Sequence, residues 1–303
     1  MQWKGVMPAI TTPFDEDLKV DWPFVRRHAQ WLQANGCSGI VCLGSLGEAA
    51  TLTFDEKIRI VHDVVEAVSP ALPVVGAVSA LSTTKAVTLA KALADGGAQG
   101  LMILPPYVYR GDWRETKAHI AAILLATPLP AMLYNNPVAY GTDFIPEQIS
   151  ELADEFGNLA AVKESSTDVR RVTAVRALSK DRLAIFVGVD DAIVEGIDAG
   201  AVGWIAGLVN AFPRESVELF ELAENGDKRS AFDLYRWFLP LLRMDTVPKF
   251  VQLIKLVQQE MGVGSARVRP PRLQIEGDEL AEAKRLIAEA VRNHSKKYES
   301  LPI

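Results

Sequence analysis

The sequence predicts an α/β fold: a (β/α)8, or TIM, barrel with a C-terminal three-helix extension. Three observations carry that reading. Eight short apolar runs rich in Val and Ile recur along the chain, an amphipathic stretch follows each of them, and no GxGxxG loop appears early. Regular strand–helix alternation can close into a barrel or open as a doubly wound sheet. Eight units without a glycine-rich dinucleotide loop favour closure.

The elements follow in order. Val6–Thr12 is the first apolar run, and helical periodicity covers Trp22–Ala34. Gly39–Leu43 is the second strand; Thr53, before Phe54-Asp55-Glu56, offers an N-cap for a helix over Phe54–Val68. Val74–Val78 precedes Thr84–Asp95, Gly100–Leu104 precedes Trp113–Leu125, and Ala131–Tyr134 precedes Pro146–Phe156. Leu159–Lys163 leads to Val169–Leu178, with Asp168 as its cap, then Ala184–Val189 to Ala192–Asp198 and Val202–Ala206 to Pro213–Glu224. Three further helices, Lys228–Leu242, Val247–Met261 and Glu279–His294, form the extension, where Trp237, Phe238 and Leu241 are packing residues. Residues 1–225 thus read as a catalytic barrel and 226–303 as helical decoration, with no linker or low-complexity segment between them. Arg267-Val268-Arg269-Pro270-Pro271-Arg272 reads as a solvated basic connector, with a subunit contact as the alternative.

Composition narrows the function. A chain of 303 residues that is 49% apolar can bury a large core, and a formal charge of −6 argues against a nucleic-acid groove or an anionic membrane surface as partner. No apolar window reaches the length of a membrane span, and Met1–Val6 lacks the apolar core of a signal peptide. Cys37 and Cys42 are too few for a disulfide framework, so the expectation is a reducing, cytoplasmic setting. His28, His62, His119 and His294 fall in helical stretches among charged neighbours, none at a metal-ligand spacing. They read as solvated helix residues. Neither a zinc site nor a Ser-His-Asp triad is expected, and no cofactor is implied.

Lys163 is the informative residue. It closes the apolar run Leu159-Ala160-Ala161-Val162 and precedes Glu164-Ser165-Ser166, so an amine ends a strand that should be buried. Burial disfavours the charged form, lowers the pKa and frees the amine to attack a carbonyl or imine carbon. The alternative is a lysine that snorkels from a strand end. In a barrel the catalytic groups come from the carboxyl ends of different strands. Those ends here are Gly44-Ser45-Leu46-Gly47-Glu48, Pro105-Pro106-Tyr107, Tyr134-Asn135-Asn136-Pro137, Lys163-Glu164-Ser165, Gly188-Val189-Asp190-Asp191 and Ala206-Gly207. Tyr134 and Lys163 lie on adjacent strands, where side chains can converge on one substrate atom.

These motifs resemble the dihydrodipicolinate synthase and N-acetylneuraminate lyase family of Schiff-base barrels. Gly44-Ser45-Leu46-Gly47-Glu48 matches its G-[ST]-T-G-E, Tyr134-Asn135-Asn136-Pro137 its Y-N-x-P, and Val162-Lys163-Glu164-Ser165-Ser166 its lysine strand. The resemblance implies a covalent imine between Lys163 and a small 2-oxo acid or cyclic imine carboxylate. It also implies proton transfer by Tyr134 with Ser45 in the relay, and assembly as a homotetramer or homodimer. The amides of Ser45 and Leu46 would hold the substrate carboxylate, with Gly188 and Ala206 completing the pocket.

The departures matter as much. The synthases carry an arginine two residues after the motif proline, where this chain has Ala139; the motif's second threonine is Leu46, and the second tyrosine of the P-Y-Y run is Val108, unless Tyr109 substitutes. The lost arginine argues against 4-hydroxy-tetrahydrodipicolinate synthase, because a buried second carboxylate would lack its partner. The variant motifs, Trp3-Lys4-Gly5-Val6 and the run Tyr134–Gly141 resemble the branch that deaminates 1-pyrroline-4-hydroxy-2-carboxylate to 2,5-dioxopentanoate and ammonia. Asn136 and Tyr140 are then candidates for contacts to the ring hydroxyl. A 2-keto-3-deoxy sugar-acid aldolase or dehydratase is the alternative within the same chemistry. An inert barrel acting as sensor or scaffold is the alternative outside it.

Overall fold

The computed structural model describes residues 1–293. Eight strands, β1 (Gly5–Pro8), β2 (Ile40–Cys42), β3 (Val74–Val78), β4 (Gly100–Ile103), β5 (Ala131–Asn135), β6 (Leu159–Glu164), β7 (Ala184–Val187) and β8 (Gly203–Ala206), pair in parallel in the order β1-β8-β7-β6-β5-β4-β3-β2. A parallel bridge between Ala9 and Val41 joins the two ends, so the sheet closes as a (β/α)8 barrel. Every residue of β2, β3, β4, β5 and β8 is buried, as befits parallel strands covered on both faces.

The outer layer comprises α1 (Trp22–Ala34), α2 (Phe54–Val68), α3 (Thr83–Asp95), α4 (Trp113–Leu124), α5 (Pro137–Tyr140), α6 (Pro146–Glu155), α7 (Arg170–Ser179), α8 (Ile193–Asp198) and α9 (Pro213–Glu224). After them come α10 (Lys228–Leu242), α11 (Phe250–Glu260) and α12 (Gly277–Arg292), which are the three helices expected beyond the barrel. The expected helix end at His294 lies outside the described residues. Thr53 caps α2 with a reciprocal bond to Glu56.

Several expectations change. The first strand stops at Pro8; Ala9 makes a single bridge to Val41, and beyond it Thr11 and Thr12 turn their hydroxyls to Gln258 and to the Gly47 carbonyl, at 2.9 and 2.6 Å. Asp168 does not cap a helix at Val169: α7 starts at Arg170, whose amide and guanidinium both bind the Asp168 carboxylate. His28 and His119 are not solvated. His28 packs inward with Val25, Ala29 and Leu32, its Nε2 3.1 Å from Asn210 Oδ1, and burial pushes its pKa down to about 4. His119 is buried on α4 beside the Thr83 hydroxyl, 2.9 Å away.

The Arg267–Arg272 segment is solvated only in part: Pro270 and Pro271 are exposed, whereas Val268 is buried and Arg269 is bound to the barrel. Arg269 ion-pairs with Glu56 at 2.7 Å and donates to the Leu18 and Thr51 carbonyls. The extension is more than decoration, since the turn between α10 and α11 reaches the mouth of the barrel.

Candidate active site

At the carboxyl ends of the strands lies a cavity of about 410 Å³, and Lys163 is the only cationic side chain among its described lining residues. Register places Lys163 directly opposite Tyr134 across β5 and β6, with Nζ 4.4 Å from the centre of the tyrosine ring. The residue is 6% exposed. Burial pushes the amine down to about 8, while the nearby Asp245 and Asp190 pull it back up. Gly188 makes the room: a Cβ there would stand 2.5 Å from Lys163 Cε and 2.0 Å from Ser165 Oγ. Its role is to let the lysine lie down against β7.

Tyr134 is buried, which raises its phenol pKa; the hydrogen bond from Asn136 and the hydroxyls of Ser165 and Ser45 oppose that rise. Asn136 does two jobs. Its Oδ1 accepts from the Ala139 amide and caps α5, and its Nδ2 donates to Tyr134 Oη, both at 3.0 Å. The short helix α5 in turn delivers Tyr140, whose hydroxyl hydrogen-bonds Ser45 Oγ and whose ring meets Tyr134 edge-on at 5.8 Å. Tyr109 does not line the cavity of its own chain. Its hydroxyl donates to Glu115 at 3.0 Å.

The turn bearing Ser45 is held in a costly shape. Leu43 and Glu48 adopt left-handed backbone, φ 65° and 54°, a conformation that disfavours side chains. Glu48 is fixed there by Lys255 Nζ at 2.8 Å and the Arg269 amide at 3.0 Å. Between them, the Ser45 and Leu46 amides donate to no other described residue, which leaves two N–H groups for an anion.

Ser45, Leu46, Tyr134, Asn136, Lys163 and Gly188 therefore share one cavity, with Tyr140 standing behind Ser45. Ala206 does not belong to it. It is fully buried in β8, its carbonyl taken by the Ala9 amide at 2.9 Å, and its chain neighbours Ile205 and Gly207 line the cavity instead. Sequence reasoning gave no role to Asp190 or Asp245. Asp190, after β7, accepts from Trp204 Nε1 and the amides of Gly207 and Leu208. Asp245 enters from beyond the barrel, where no strand-end rule points. Among the described residues, no cluster of three or more His, Cys, Asp or Glu side chains has metal-binding geometry, and no helix is long and apolar enough to cross a membrane.

Comparison with known proteins agrees with this arrangement. A 4-hydroxy-tetrahydrodipicolinate synthase from Nitrosococcus oceani is 31% identical over 88% of this chain and 91% of its own length. One from Methanopyrus kandleri is 31% identical over 99% and 98%. The solved structure of the 4-hydroxy-tetrahydrodipicolinate synthase from Methylacidiphilum fumariolicum SolV superposes with a TM-score of 0.92 at 26% identity, covering 96% of this chain and 97% of that one. The profile of the Dihydrodipicolinate synthetase family matches residues 2–290. The chain belongs to that family and is an enzyme of its Schiff-base, class I aldolase type.

Proposed function

We propose that the enzyme deaminates 1-pyrroline-4-hydroxy-2-carboxylate to 2,5-dioxopentanoate and ammonia, with Lys163, Tyr134 and Ser45 as its catalytic groups. One observation carries the choice of substrate. Among the described residues that line the cavity Lys163 is the one cation, and Ala139 stands where a synthase would need an arginine for a second carboxylate. A monocarboxylate fits, its charge met by the Ser45 and Leu46 amides. The relatives named as synthases are 31% identical, a distance at which substrates diverge within one chemistry.

The reaction then runs as follows. The free amine of Lys163 adds to C2 of the ring, and the Tyr134 proton passes to the ring nitrogen as the C2–N bond breaks, leaving the substrate joined to Lys163 as an iminium. This electron sink makes the C3 proton acidic, and the 4-hydroxyl leaves as water. A shift of the double bond towards C5 turns the freed amine into an imine. Hydrolysis at C5 releases ammonia, and hydrolysis at C2 frees Lys163, for a net uptake of one water. Asn136 holds the Tyr134 oxygen, and Tyr140 couples Ser45 to the same relay. Exposed Leu81, Val108 and Tyr109 near the ends of β3 and β4 support a homotetramer or homodimer, and a cytoplasmic setting completes the reading.

The test is a substrate panel. Purified enzyme is given the pyrroline, pyruvate, pyruvate with aspartate semialdehyde, or 2-keto-3-deoxygluconate, and is followed by ammonia release and by mass after borohydride reduction. Ammonia from the pyrroline with no product from the other pairs is the expected result. Condensation with the semialdehyde, or pyruvate release from the sugar acid, would replace the deaminase with one of its relatives.

A further inference from the structure

One acid inside the cavity has no part in forming the imine. Asp245 lies in the turn between α10 and α11, on the wall built by Thr246, Val247, Pro248 and Phe250. Its carboxyl reaches in so far that a Cβ on Gly207 would stand 2.0 Å from its Oδ1. A glycine at the end of β8 is what lets a carboxyl from outside the barrel enter. Oδ1 is buried and takes no hydrogen bond from another described residue, a state costly for an ionised oxygen.

Asp190 is the contrast. Both of its oxygens are taken by Trp204 Nε1 and the amides of Gly207 and Leu208, at 2.9–3.2 Å. With two carboxyl groups beside one amine, the donor-rich group keeps the negative charge and the donor-poor group keeps the proton. The groups facing Asp245 fit that division. Burial and the charges of Asp190 and Asp191 push its pKa well above the ordinary carboxyl range, with Lys163 opposing.

We infer that Asp245 is a second catalytic acid of this site, one that delivers its proton to a hydroxyl leaving from the carbon two bonds beyond the imine carbon. The inference rests on the proposed reading of the substrate as a hydroxylated cyclic imine acid. In the step, the Tyr134 phenolate, which gave its proton to the ring nitrogen, takes the C3 proton. The C3–H electron pair becomes the second bond between C3 and C4. The C4–O bond breaks, its pair takes the Asp245 proton, and one water departs. The carboxylate recovers a proton from the water that later hydrolyses the imine. The assignment gives a protonated carboxyl in the cavity a task that imine formation does not: it serves the leaving hydroxyl.

Asp245→Asn keeps the shape and removes the transferable proton. The variant and the parent enzyme are compared for the rate of borohydride-trapped adduct with pyruvate, for ammonia from the pyrroline, and for water loss from the open-chain 4-hydroxy-2-oxopentanoate. The expected result is pyruvate trapping within about twofold of the parent and elimination slowed about 10²–10⁴-fold, with the trapped pyrroline adduct retaining its hydroxyl oxygen. Elimination within about threefold of the parent, or trapping that falls in step with turnover, overturns the assignment. Should the parent dehydrate only the open-chain acid, the deaminase reading fails and the Asp245→Asn ratio on that acid decides Asp245. A parent that dehydrates neither overturns both.

Discussion

Two lysines of this protein are alike in almost every measure that flags a reactive amine. Lys163 and Lys255 are both buried, both sit 4.4 Å from the centre of an aromatic ring, Tyr134 and Phe14, and burial pushes both pKa values down to about 8. They differ in partners. Lys255 Nζ donates to Glu48 at 2.8 Å and to the Thr12 carbonyl at 2.9 Å, closing an ion pair with no contact with solvent. Lys163 Nζ has no acceptor within hydrogen-bonding distance among the described residues and opens on a cavity. A lowered pKa thus marks burial in both cases, and the unoccupied hydrogen-bonding directions mark the nucleophile. The two sites are also joined, because Glu48, which Lys255 pins, ends the turn that carries Ser45.

The contrast breaks if the two residues can be exchanged in their consequences. Lys163→Arg is expected to abolish borohydride trapping and to lower turnover by at least about 10⁴-fold, with the denaturant midpoint close to the parent's. Lys255→Met should do the reverse. It leaves Glu48 buried without its cation, a loss of roughly 3–5 kcal/mol in unfolding free energy, while the folded fraction still traps pyruvate on Lys163. An adduct that survives Lys163→Arg, or trapping lost with Lys255→Met in folded protein, would remove the distinction.

A smaller effect sharpens what surrounds the reactive lysine. Tyr140→Phe removes the hydroxyl bound to Ser45 and keeps the ring against Tyr134. Turnover should fall about 10- to 100-fold with trapping unchanged, because the relay loses one member and the nucleophile none. Stopped-flow turnover beside single-exposure trapping separates the two. Equal rates in both assays for the variant and the parent would make Tyr140 a packing residue.

Much of this is legible in the sequence. Eight apolar runs gave the strand count, and the adjacency of Tyr134 and Lys163 followed from their positions at consecutive strand ends. What escaped was whatever depends on packing at long range. His28 stands between Arg27 and Ala29, and the charged neighbours suggested solvent; yet Val25, His28, Ala29 and Leu32 fall at the i, i+3, i+4, i+7 spacing of a buried face. That signal was present and outweighed. Asp245 had none, since it lies in a turn of the extension and its meaning comes from a glycine 38 positions earlier in the chain. Ala206 failed for a local reason: successive strand residues face opposite ways, so Ile205 and Gly207 took the cavity.

Acid separates the reactive lysine from the packed core in order. Lys163 titrates near pH 8, so the free-amine fraction, and with it the trapping rate, should fall about tenfold per unit below that value while the fold stays intact. The buried contact between α1 and α11 at His28 fails later. His28, held by Asn210 and near Gln258, has a folded pKa of about 4 against about 6.5 for an unfolded chain. A base whose folded pKa is depressed binds more protons when unfolded, so its contribution is complete above pH 6.5 and is lost as pH falls through 4, to a total of about 3 kcal/mol. Denaturant unfolding between pH 7.5 and 3.5 should show that decline, and His28→Gln, which cannot be protonated, should flatten it. Trapping and unfolding that shift together over one pH window would mean that the reactive lysine and the structural core titrate as one unit.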